Sequence, residues 1–93
     1  MNKKDTQYRG ARAMIETHSI KEFREIFDYV PKSTVARDMG KNNTRMEDLK
    51  ENVHKLTIGD LFTISSLLGV DHVSVFMLIA NQYINDMNNS NTK

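Results

Sequence analysis

The sequence predicts an all-α protein, a compact bundle of five to six helices. Three observations carry this reading. Apolar residues recur at helical spacing, as in Ile20, Phe23, Ile26 and Phe27, which puts them on one face of a helix. Helix-start residues stand ahead of such runs at Ser19, Asn42, Asn43, Thr57 and Asp71, where a short polar side chain can cap free backbone N–H groups. Strand-like alternation never lasts more than a few residues; its nearest case, Val73 to Phe76, lies inside a capped helical pattern.

Each element follows from local chemistry. Residues 1–7 read as a flexible basic arm, and residues 8–86 as the helical domain. A first helix is expected over about Tyr8 to Thr17, with Ala11, Met14 and Ile15 as its apolar side and Gly10 as a weak point. Ser19 and Glu22 have the spacing of a capping box for the next helix. Pro31 ends that helix and suits the start of another, because its fixed φ is already helical. The second long pattern runs from Lys32 to Met39 and stops at Gly40; a third starts at Asn42 or Asn43 and reaches about Val53. Thr57 with Asp60 caps a fourth helix over Ile58 to Leu68, ended by Gly69. Asp71 caps a fifth, expected to reach about Asp86, and residues 87–93 read as a disordered polar tail.

Composition narrows the function. The 93 residues support one domain with one modest core. The absence of cysteine removes disulfides, thiolate metal sites and thiol catalysis, and fits a reducing compartment. The first ten residues carry no apolar run, so they do not read as a signal peptide, and no stretch has the length of a membrane span. A cytoplasmic location is expected. Net charge is only +1, but every Lys and Arg except Lys93 lies at or before Lys55, and from Leu56 to Thr92 the charged residues are Asp60, Asp71 and Asp86. Such polarity suits nucleic acid on one side of the molecule and a protein partner on the other.

The stretch 31–53, PKSTVARDMGKNNTRMEDLKENV, reads as a helix-turn-helix. Ala36 is small where two helices would cross closely. Gly40 falls where the chain needs a left-handed residue. Val35 and Met39 share one helical face, as do Met46, Leu49 and Val53.

With Phe23 and Phe27 before this stretch, VARDMG and NNTRMEDL within it, and TIGDLFTISSLLGVD after it, the order of elements resembles the lambda-repressor/Cro-like family of bacterial helix-turn-helix regulators. The resemblance covers Ile20 to about Tyr83. It implies a DNA-binding fold with a regulatory role, often as a dimer, whose third helix enters the major groove. On that reading Asn42, Asn43 and Thr44 face the bases, Asn by a bidentate contact to adenine and Thr against a thymine methyl. Lys32, Ser33, Thr34, Arg37, Lys41, Arg45 and Lys50 are the phosphate-contacting candidates. Lys41 departs from the apolar residue the family usually has after its Gly. Glu47, Asp48 and Glu51 fall on the same outward side and oppose a polyanion.

The alternative is a protein-interaction module on the same fold that has lost DNA affinity, motivated by those carboxylates and by the fifth helix. That helix is apolar around most of its circumference, which requires a central place in the core or a shared interface. A homodimer through Val73, Phe76, Met77, Ala80, Tyr83 and Ile84 is expected. His18, His54 and His72 lack the spacing of a metal site. No nucleophile with a base, paired carboxylates or Gly-rich phosphate loop stands out, so an enzyme, a cofactor or a small-molecule ligand is not expected.

Overall fold

Three helices end in the same way, and their ends set the course of the chain. In the computed structural model, which describes residues 3–91 and the side chains of residues 6–89, α1 spans Lys3–Glu16, α2 Lys32–Asp38, α3 Asn43–Glu51, α4 Ile58–Leu68 and α5 His72–Asn91. Short 3-10 helices occupy Phe23–Asp28 and Val53–Lys55, and the described residues form no strand. At the end of α2, the Lys41 amide donates to the Ala36 carbonyl and the Gly40 amide to Arg37, with Gly40 at φ 71°. At the end of α4, the Val70 and Gly69 amides turn back onto Ser65 and Ser66, with Gly69 at φ 74°. This closure satisfies carbonyls that a helix otherwise leaves free, and it needs a left-handed residue. The end of α1 uses His18 at φ 58° for the same purpose, with the Ser19 amide on Met14 and the His18 amide on Ile15. Gly69 is fixed twice over: a Cβ there would come within 2.8 Å of Arg12 Nε, which itself donates to the Leu68 carbonyl at 2.7 Å.

Caps start the helices as the sequence suggests, with one exception. Asn42 accepts from the Arg45 amide at 2.7 Å to begin α3. Thr57 and Asp60 exchange side-chain and backbone bonds to begin α4, and Asp71 accepts from Val73 and Ser74 to begin α5. The exception is Ser19. Its hydroxyl pairs with that of Thr17 at 2.7 Å, and the helix after it starts at Phe23 in 3-10 form. Glu25 holds that start by accepting from the Lys21 and Glu22 amides.

The core gathers all of these elements. Ala11, Phe23, Met46, Leu49, Val75 and Leu68 are almost wholly buried, with Ile26, Val35, Val53 and Ile64 around them. Phe23 and Phe27 meet edge to face at 5.6 Å between ring centres, an arrangement favoured by the ring quadrupoles. Tyr8 is also buried, and its hydroxyl donates to Asp38 at 2.8 Å. Burial and this carboxylate push its phenol well above the ordinary range.

The helices differ from the sequence reading mostly at their ends. The stretch read as a flexible arm is helical from Lys3, because Tyr8 and Ala11 anchor the next turns and no Pro or Gly interrupts the turn before them; Met1 and Asn2 lie outside the described residues. The polar tail likewise continues α5 to Asn91, with only Thr92 and Lys93 outside. The third helix stops at Glu51, short of Val53, because Asn52 leaves the helical conformation at φ −123°, ψ 71° while its amide group binds Asp48.

Candidate nucleic-acid interface

The site candidates lie along α2, the Gly40 turn and α3. Asn42 is exposed and its side-chain oxygen accepts from the Arg45 amide, which leaves its NH2 group as the uncommitted donor. Asn43 and Thr44, the first two residues of α3, are exposed. Lys32, Asn43, Thr44 and Glu47 line one shallow depression, which brings the start of α2 beside the start of α3. Ser33 is exposed on α2. Thr34 is buried, at 8% exposure, with Val35 and Ala36.

The charged residues form a mosaic. Lys32 Nζ lies 2.7 Å from Glu47, and Lys50 lies 3.5 Å from the same carboxylate and 3.7 Å from Glu51. Arg45 and Lys55 hold Asp48 at 3.2 and 3.1 Å. Arg24 reaches Glu51 at 3.1 Å and Asp86 of α5 at 2.6 Å. Lys41 pairs with Asp60 at 3.3 Å, and Arg37 with Asp38 at 3.2 Å. Glu47, Asp48 and Asp60 therefore sit below their usual range. For Glu47 the main cause is the Lys32 bond, and for Asp48 it is the bond from Lys55, followed by that from Asn52. Burial pushes Asp60 up, but its bonds from Thr57 and Lys41 outweigh burial and leave it lowered.

This arrangement cuts both ways. Each carboxylate of α3 that would repel a polyanion is balanced by a cation. Five of the seven phosphate candidates, Lys32, Arg37, Lys41, Arg45 and Lys50, are the cations that balance acidic groups here. The more exposed pairs, Lys32–Glu47 and Arg45–Asp48, are weak and exchange readily, so phosphate can compete for those cations, whereas Lys41 and Asp60 are mostly buried. Lys41 is placed against α4 by its pair with Asp60. Arg24 and Lys55 belong to the same mosaic and were not legible as such: Arg24 binds carboxylates 27 and 62 positions away, and no local pattern marks such a link.

Among the described residues, no group of three His, Asp or Glu side chains could hold a metal ion, and no single helix is long and apolar enough to cross a membrane.

The face expected to pair is a continuous stripe. Val73, Phe76, Met77, Tyr83 and Ile84 of α5 are between 43 and 55% exposed, Ala80 is half-buried among them, and Met87 continues the row. Val75, Leu78 and Gln82 on the opposite side face the core. The helix is thus apolar on two sides, one satisfied within the chain and one open.

Comparison of the chain with protein-family models, curated proteins and solved structures found no match.

Proposed function

We propose that this chain is a sequence-specific DNA-binding protein of the lambda-repressor/Cro-like type, a transcriptional regulator acting as a homodimer joined through α5. In this reading α2, the Gly40 turn and α3 are its helix-turn-helix. Asn43 and Thr44 read bases in the major groove, assisted by the amide of Asn42, and Lys32, Ser33, Arg37, Lys41, Arg45 and Lys50 meet phosphates. One observation carries the proposal: α3 presents an exposed, uncharged start at Asn43 and Thr44, while Glu47, Asp48 and Glu51 behind it are each matched by a cation. The open apolar row on α5 supports two-fold pairing, which in DNA-binding proteins corresponds to a palindromic site.

The test is DNA binding by the full chain. Asn43→Ala should relax sequence preference more than it weakens nonspecific binding, and wild-type affinity should fall as salt rises. An unchanged preference in Asn43→Ala contradicts the assignment of α3 as reader.

A second reading is favoured by the same mosaic. Because the phosphate candidates are already neutralised by carboxylates, the surface also suits a protein partner on a fold without DNA affinity. In that case reversal of charge at Glu47 or Glu51 abolishes a protein complex, and indifference to those reversals rules the reading out.

A further inference from the structure

A cleft of about 250 Å³ separates the end of α3 from α5. Its lining includes Glu51, Val53 and His54 on one side and Tyr83, Asp86 and Met87 on the other. The His54 and Tyr83 rings stand 6.1 Å apart between centres and are tilted by 59°, which makes an aromatic corner. Among the described residues, the lining has two carboxylates and no Lys or Arg.

The charge around this cleft is unbalanced. One guanidinium, that of Arg24, serves three carboxylates: Glu22 at 3.1 Å, Glu51 at 3.1 Å and Asp86 at 2.6 Å. It does not serve them all well, since its Nε, though close to Glu22, is buried without a hydrogen bond. Lys50 adds only a 3.7 Å contact to Glu51 and lies nearer to Glu47, at 3.5 Å. Arg24 occupies one oxygen of Glu51 and one of Asp86, whereas an ionised carboxylate accepts at both of its oxygens. The two carboxylates of the lining therefore keep accepting capacity and leave the cleft negative.

We infer that this cleft binds a small organic cation, an amine with an apolar or aromatic body. Its ammonium group lies between Glu51 and Asp86 and supplies the positive charge that Arg24 alone does not. Its body packs against Tyr83, His54 and Met87. An aromatic face attracts a nearby cation through the ring quadrupole, and a thioether sits well against an aromatic ring. At about 250 Å³ the cleft lies just below the range of pockets for drug-sized ligands, so the occupant is small. The inference is independent of DNA reading and of pairing through α5. A second cleft of the same volume, between the end of α1 and α5, provides the contrast. Ile15, Ile20, Met77 and Leu78 line it together with His18 and no carboxylate, so an amine finds no counter-charge there.

Phenethylamine is the probe, with 2-phenylethanol and phenylacetate as its neutral and anionic counterparts. Added to the 93-residue chain and followed by NMR, the amine should shift the signals of His54, Tyr83 and Met87 to saturation, with a Kd on the order of 1 mM. The signals of Ile15 and Met77 should stay in place. The alcohol should bind at least about fivefold more weakly and the acid should not bind. Glu51→Gln and Asp86→Asn should each weaken the amine about threefold to tenfold. Glu16→Gln, an equal change of charge outside the cleft lining, should leave it unchanged. Equal binding of amine and alcohol, or unchanged affinity in both cleft variants, would overturn the cationic assignment. Equal weakening by Glu16→Gln would show a general effect of charge in place of a site. No saturable shift at about 20 mM amine would overturn the site itself.

Discussion

Gln82 on α5 donates from Nε2 to the backbone carbonyl of Lys50 at the end of α3, 2.7 Å away. Its Oε1 accepts from the Arg24 amide at 2.8 Å, and the side chain is fully buried. One amide therefore ties α5 to α3 and to the 3-10 helix Phe23–Asp28. Outside this bond, Arg24 repeats the connection with its ion pairs to Glu51 and Asp86.

Gln82→Leu preserves volume but strands a backbone carbonyl and a backbone amide. An unsatisfied buried polar group costs about 1–3 kcal/mol, so a loss of roughly 2–4 kcal/mol is expected from urea unfolding. A change below about 0.5 kcal/mol would mean that water or a shifted backbone serves the two groups equally well.

His18 invites a stabilising change. It holds a left-handed conformation that costs an L-residue roughly 1–2 kcal/mol and that Gly adopts freely. His18→Gly should raise stability by about 0.5–1 kcal/mol once the greater freedom of the unfolded Gly chain is subtracted. Gly69→Ala should do the reverse, since it combines the positive φ with a clash against Arg12. Equal melting temperatures for wild type and His18→Gly would contradict the assignment of strain to this residue.

The carboxylates set the pH response. Glu47, Asp48, Asp60 and Asp71 are all lowered in the folded chain. A group with a depressed folded pKa stabilises the fold above its unfolded value and loses that contribution as pH falls through its folded value. Stability should thus be nearly constant above the ordinary values of 4.5 for Glu47 and 3.8 for the three Asp residues, and should fall on further acidification. Thermal melts across this range give the curve. Asp60→Asn, which breaks the α4 cap and the Lys41 pair, should flatten it; a variant curve parallel to wild type would remove Asp60 from the account.

Much of this architecture is visible in the sequence because its signals are local. Asn42, Thr57 and Asp71 cap the helices that their spacing marks, and Gly40 and Gly69 take the left-handed positions that end α2 and α4. The burial of Thr34 was not legible, because a Thr at the boundary of an inward face has no periodicity of its own. Tyr8 and Gln82 were missed for a different reason. A Tyr near the chain start and a polar residue in an apolar helix gain their roles from Asp38 and Lys50, far away in sequence. The charge mosaic is of the same kind: acidic and basic residues could be counted, but their pairing depends on how α2, α3 and the Phe23–Asp28 segment pack.

Glu47 separates the two functional readings. Glu47→Gln removes a negative charge beside the proposed phosphates and releases Lys32 and Lys50 from it. DNA affinity at low salt should rise about threefold to tenfold, with a steeper salt dependence. A fall in affinity would show that Glu47 accepts from a base edge, as a carboxylate can from cytosine.

The central claim is tested most directly by selecting genomic fragments on the 93-residue chain at low salt. The account predicts enrichment of an inverted-repeat site, lost when Asn43 and Thr44 are both replaced by Ala. Recovery of no fragment above the level of that double variant would contradict it.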